Sequence, residues 1–344
     1  MNARLKKNGF ATEVVVLETL YQPEKLLERK KTVIAFQENF KRAQVAQKLV
    51  KDIGNVLDDT LVIELLKKWK REARARFVVF SGFWVPIIEQ YLKNESINNS
   101  LSIDLFHLES GGGASWRGHN ITHPSCHHYH IGDHVTKTMH YGINIEKDIV
   151  KYKERSERIL IHGGGWGIGT YLNKIKELED REIDLDVVIN DIYNIPGHQN
   201  NIRFFKNDPN WNPWDKNDND SHSFCPFGEI VKDQEIIYSS NPDYPEIYKI
   251  IRKSKAVICK TGGGALLDSL SSVTPIIILE SYHEFEHNNS LLWDSLGFGI
   301  QYDKWINSNC SMDVLEKLHE NILAAKSEIQ DYVEEVISCK IKAF

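Results

Sequence analysis

Lys260-Thr-Gly-Gly-Gly-Ala-Leu-Leu-Asp268 is the stretch on which the reading of this chain turns. Ala256-Val-Ile-Cys259, just ahead of it, has the length and apolar character of a buried strand, and the residues from Ala265 onward begin a helix. A strand that opens through glycines into a helix leaves the first N–H groups of that helix unpaired, and the helix dipole favours negative charge beside them. Glycine also lets a phosphate approach the backbone closely. The run Gly262, Gly263, Gly264 costs conformational entropy, which favours a function for it over a plain helix start. Asp268 falls about one turn further in, where a carboxylate accepts hydrogen bonds from ribose hydroxyls. The stretch therefore predicts a nucleotide-diphosphate site.

The neighbouring segments extend this pattern. Glu246-Ile-Tyr-Lys-Ile-Ile-Arg-Lys-Ser254 has helical spacing, Pro275-Ile-Ile-Ile-Leu-Glu280 reads as another buried strand, and His283-Glu-Phe-Glu-His-Asn-Asn289 is a polar run. In this order the residues from about Arg158 to Gly299 resemble the donor-binding half of GT-B-fold glycosyltransferases. The likeness is to the group that contains the lipid II N-acetylglucosaminyltransferase, the galactolipid synthases and nucleotide-sugar hydrolases. It implies an α/β, GT-B-like fold of two Rossmann-type doubly wound domains facing across a cleft. It further implies a nucleotide diphosphate sugar donor, UDP-linked, held by Thr261, Gly262, Gly263, Gly264 and Asp268. His283, Glu286, His287 and Asn288 stand where the family's sugar-contacting loop lies, and base recognition would come from backbone around Tyr244 to Ile247. No cofactor and no metal are implied for the chemistry.

The family's Gly-His motif after the first strand, the usual place of its catalytic base, is not matched, because Leu17-Glu-Thr-Leu-Tyr21 stands there. An inverting transfer needs a group that takes the acceptor proton, and His, Asp or Glu does this at neutral pH. His119, Asp133 and His134, at the end of the first unit, are the expected candidates, with Glu109 beside the Ser110-Gly-Gly-Gly113 turn as another. Two other readings share the donor site: a nucleotide-sugar hydrolase or 2-epimerase, and a non-catalytic nucleotide-sugar-binding protein.

The chain has 344 residues, 41% of them apolar, which is enough for two domains with cores of their own. The expected division is 1–152 for the acceptor, 153–325 for the donor, and 326–344 as a helix returning to the first domain. A net charge of -6 disfavours a broad nucleic-acid-binding surface. No run approaches the roughly 18 apolar residues of a membrane span, and Glu13 interrupts the only apolar stretch near Met1, so neither signal peptide nor membrane insertion is expected. Five scattered cysteines suit a cytoplasmic protein. The partners expected are the donor and a small soluble acceptor.

Strands and helices alternate along the first half. Thr12 to Leu17 and Thr32 to Phe36 read as strands, Phe40 to Ile53 as a helix, and Asp58-Asp59 as the cap of a helix running to about Arg74. Phe77 to Phe80 is a strand, Val85 to Leu92 a helix entered through Pro86, and Ile103 to Leu108 a strand. Such alternation predicts a largely parallel sheet.

The second unit opens with Arg158-Ile-Leu-Ile-His162 and Gly163-Gly-Gly-Trp-Gly-Ile-Gly169, followed by a helix through Leu178 and a strand from Asp186 to Ile189. The resemblance puts this loop, Gly165 included, near the donor phosphates or the acceptor. A nicotinamide-binding reading would use Asp191 on the ribose, but Ile168 and Thr170 break the G-x-G-x-x-G spacing. Two stretches stand apart. Asn207 to Glu235 is a long polar loop with Trp211, Trp214 and Phe224, either a lid on the acceptor or a surface insertion. The stretch from His119 to His140 holds seven of the 14 histidines, and His123, Cys126, His128, His130 and His134 are the possible ligands if it were a zinc site. The expectation is that it binds no metal.

Overall fold

The computed structural model describes residues 1–46, 53–93, 101–190, 201–231 and 235–342. Its first sheet is made by Arg76–Val79 (β1), Ser102–His107 (β2) and Cys126–His130 (β3), parallel and in the order β1-β2-β3. Helices Asn2–Lys7 (α1), Pro23–Glu38 (α2), Phe40–Ala46 (α3), Asp59–Arg71 (α4) and Val85–Lys93 (α5) surround it. Asp58 caps α4 by accepting the N–H groups of Thr60 and Leu61, as the sequence predicts. Val62, Leu66 and Trp69 of α4 then share a core with Ile87, Ile88, Ile103 and Leu105.

Two expected strands are not strands. Residues 12–16 enter no ladder among the described residues, and Leu17–Leu20 is a 3-10 turn. Thr32 to Phe36 belongs to the sixteen-residue α2, which starts with Pro23 at its first turn and buries Phe36 against Ala43 and Ile168. That contact outweighs the β preference of Thr32, Val33 and Ile34.

Short pairings follow: Gly132–Asp133 (β4) with Thr138–Met139 (β5), and then Tyr141–Gly142 (β6). The second unit holds Ile159–Ile161 (β7), Leu185–Ile189 (β8), Ile202–Asn207 (β9), Phe227–Ile230 (β10), Val257–Cys259 (β11), Ile276–Ile278 (β12) and Gly299–Gln301 (β13). Their order is β10-β9-β8-β7-β11-β12-β13, with only β10 antiparallel. Without β10 this is the 3-2-1-4-5-6 order of a doubly wound sheet, in which ligands sit outside the carboxyl ends of the strands where the order reverses. Its helices are Ile175–Glu179 (α6), Ile247–Ile251 (α7), Gly263–Ser272 (α8), Glu284–Ser295 (α9), Tyr302–Asn307 (α10) and Met312–Lys326 (α11).

The chain ends in Gln330–Asp331 (β14), paired with β6, and Tyr332–Lys342 (α12). Tyr332, Val333 and Val336 are buried with Leu5 and Phe106, and the Tyr332 hydroxyl donates to the buried Asp104 carboxylate at 2.5 Å. The molecule is thus an α/β protein with two mainly parallel sheets whose carboxyl ends meet. Among the described residues no helix is long and apolar enough to cross a membrane.

Candidate functional site

The order of the second sheet reverses between β7 and β11, and both expected glycine segments leave the sheet there. After β7, His162 Nδ1 accepts the Gly164 N–H at 2.9 Å and shapes the loop; burial holds this imidazole down to about 4, with the Lys260 charge as a second cause. Gly163 is needed for packing, since a Cβ there would lie 2.5 Å from Gly167 and Tyr171. Gly165 is exposed, with nothing within 4 Å of such a Cβ. The helix expected here begins as a 3-10 turn, Tyr171–Lys174, before α6, so no α-helix starts at the loop itself.

After β11, Lys260 lies across the reversal point. Its ammonium donates to the Gly163 carbonyl at 3.2 Å and stands 3.9 Å from Glu286 Oε1, with its side chain 9% exposed. Gly262 is the N-cap of α8 with no side-chain cap, and the N–H groups of Gly263, Gly264 and Ala265 have no partner among the described residues. The three glycines differ in what they allow. A Cβ on Gly263 would lie 2.5 Å from the Leu108 Cβ of the first unit, one on Gly262 would lie 3.2 Å from Glu286 Oε1, and one on Gly264 would meet nothing. Asp268 is part-buried, its carboxylate has no hydrogen-bond partner among the described residues, and burial raises it to about 7.

Thr261 is turned inward, where its hydroxyl bonds the Glu286 carbonyl at 2.8 Å and Ser290 Oγ at 2.7 Å. It fastens α9 to the glycine turn, and its side chain is not available to a donor. Glu286 is also internal, with its carboxylate accepting the Tyr282 N–H and facing Lys260. The polar run is a helix start with His283 as N-cap, its Nδ1 accepting the Glu286 N–H at 3.2 Å. The proton of the neutral ring is therefore on Nε2, 3.9 Å from Glu109 Oε1. Burial, then Arg117 and Lys260, lower His283 to about 4. Burial and then Glu286 raise Glu109 to about 7.

Asn288 and the buried Asn289 join the units: Asn288 Nδ2 donates to the Ser110 carbonyl at 3.4 Å, and Asn289 bridges the Ser110 N–H and the Thr261 carbonyl at 2.8 Å each. His134 is at the same junction, its Nδ1 hydrogen-bonded to Ser110 Oγ at 2.9 Å and its backbone N–H donating to the same oxygen at 2.7 Å. Asp133 is spent on a turn, where the Val135 N–H donates to it at 2.7 Å and holds its carboxyl below the usual range. His119 packs edge-on against Phe83. Neither reaches the residues around Lys260. Tyr244 packs against Tyr248 beside Glu146, and Ile247 packs into the second unit's core. Asp191 lies outside the described residues.

A cavity of about 700 Å³ opens beside the junction, lined among others by Gln44 and Arg117 from the first unit and Tyr282, His283, Glu284 and His287 from the second. Asp268 and the glycine turn lie outside its wall. Arg117 stacks over Phe285 at 4.8 Å and faces Glu284 at 3.8 Å. Helices α2 and α3 roof the second unit: Arg29 lies over Trp166 at 5.0 Å, Gln37 donates to the Trp166 carbonyl at 2.7 Å, and Gln44 donates to the Ser281 carbonyl at 3.1 Å. The expected loop from Asn207 to Glu235 is not loop throughout, since it contains β10, and Trp214 within it lies against Lys30 of α2 at 5.4 Å. Sequence reasoning missed Lys260, Arg117 and Asn289 as working residues. The signal for Lys260 was its place directly after a strand at the order reversal; Arg117 and Asn289 carried none.

No protein-family model matches the chain, and no curated protein sequence matches it. Among solved structures it is similar to the glycosyltransferase SnogD from Streptomyces nogalater, with TM-score 0.40 and 11% identity over 75% of this chain and 60% of that one. The chain thus spans less than two thirds of SnogD. It is also similar to the glycosyltransferase VinC in complex with DTDP, with TM-score 0.49 and 10% identity over 93% and 82% of the two chains. For Acinetobacter baumannii MurG the values are 0.45 and 8%, over 85% and 82%.

Proposed function

We propose that this chain is a glycosyltransferase that moves a sugar from a nucleotide diphosphate sugar, UDP-linked, to a small acceptor. The observation that carries the reading is Lys260, an ammonium at the sheet's reversal point, just ahead in the chain of the unpaired N–H groups of α8. Together they suit a diphosphate, whose negative charge grows as it leaves, and such preorganised donors lower the barrier most where charge develops. No metal is then required for the departure.

Asp268 would take the ribose hydroxyls and backbone near Tyr244 and Ile247 the base, while His283 and His287 face the sugar from the cavity wall. Glu109, held between His283 and the Gly113 turn, is the base in this scheme. The acceptor oxygen attacks the anomeric carbon, its proton passes to the Glu109 carboxylate, and the bond to the diphosphate breaks with the electron pair leaving on phosphate. The 1–152, 153–325 and 326–344 division assigns acceptor and donor to the two sides of the cleft.

A thermal-shift titration with UDP, dTDP, GDP and NAD, with and without EDTA, tests this, because a ligand of the native state raises Tm. A rise with one nucleoside diphosphate that survives EDTA and weakens in Lys260→Ala is expected. The sheet order is also that of dinucleotide-binding proteins, so NAD is the competing ligand. A rise with NAD alone, or none with any diphosphate, overturns the proposal.

A further inference from the structure

We propose that His107, His128 and His130 bind one divalent transition-metal ion, Zn²⁺, at the carboxyl end of the first sheet. The sequence hides this set, because His107 is on β2 and the other two are on β3. The parallel register sets His107 beside His130, and residues two apart on a strand share a face, which brings His128 to the same patch. One nitrogen from each ring lies within 4.8 Å of the other two.

Hydrogen bonding in the cluster is incomplete. His107 Nε2 and His128 Nδ1 are 2.9 Å apart and share one proton, but the buried His107 leaves Nδ1 without a partner. His107 is only 7% exposed, so the ring that brings Nε2 to His128 is held in place by its surroundings.

Three imidazoles with an open fourth position suit zinc, whose Zn–N bonds of about 2.0–2.1 Å put two ligand nitrogens about 3.3 Å apart in a tetrahedron. The His107 and His130 rings now stack at 4.3 Å, and coordination requires them to turn. His128 and His130 are exposed and free to do so, while Trp116 packs on His107 at 4.2 Å and holds it. Of the other ligands considered from sequence, His123 Nδ1 accepts the Ser125 N–H, His134 pairs with Ser110, and Cys126 packs on the first core. None of the three proposed ligands lines the cavity.

The test is calorimetric titration of EDTA-treated, desalted full-length protein with Zn²⁺. Wild type and His127→Asn, an exposed histidine on the opposite face, are expected to bind one equivalent, and the double variant His128→Asn/His130→Asn to bind at least tenfold more weakly. Absence of stoichiometric binding by wild type, weakening of less than tenfold in the double variant, or equal weakening in His127→Asn overturns the proposal.

Discussion

The Oδ1 of Asn289 accepts the backbone N–H of Ser110 at 2.8 Å, a buried bond between residues 179 positions apart that joins the two sheets at the mouth of the cleft. The same amide donates to Thr261, so truncation strands one donor and one acceptor. Each buried unsatisfied group costs about 1–3 kcal/mol. Asn289→Ala is expected to lower the urea midpoint accordingly, and an unchanged midpoint would show that the junction contributes nothing to stability.

Gly263 and Gly264 are expected to respond oppositely to alanine. At Gly263 the new methyl meets Leu108, an overpacking that costs about 1–3 kcal/mol. At Gly264 it meets open space, and alanine's helix preference offsets any loss by up to about 1 kcal/mol. Thermal denaturation of the two variants distinguishes them.

Lys260→Ala is expected to weaken nucleoside diphosphate binding at least tenfold, about 1.4 kcal/mol, as measured by calorimetric Kd. Glu109→Gln is expected to leave that Kd unchanged and to lower kcat by about 10²–10⁴, the range of a lost general base. Equal loss in both quantities would make Glu109 a binding group instead.

Asp268 gives a pH signature. Its folded value of about 7 lies above the unfolded value near about 4, so the native state holds a proton that the unfolded chain releases between them. This contribution is present in full below pH ~4 and is lost as pH rises to about 7. Asp268→Asn should melt higher than wild type at pH 8, and the gap should close on acidification. A gap independent of pH would contradict the assignment.

Much of the second unit was legible because its strands are continuous apolar runs bounded by glycine or proline, as at Val257–Cys259 and Ile276–Ile278. The first unit was harder to read. Thr32, Val33 and Ile34 have strand-like side chains, yet the segment is helical and Phe36 is buried with Ile168, 132 residues away. At the site, the polar run 283–289 is legible in the sequence but its roles are not, since whether Glu286 faces a sugar or the Tyr282 N–H depends on the cap formed by His283. Glu109 and Lys260 owe their surroundings to both units or both glycine loops, and that proximity leaves no trace in local spacing.

The chain passes between the units twice, outward after Gly142 and back at Gln330, and the parallel pairing of Gln330 with Tyr141 and of Asp331 with Gly142 lays the two crossings side by side. Parting the units at that edge would therefore break this backbone pairing as well as the side-chain bonds across the cleft.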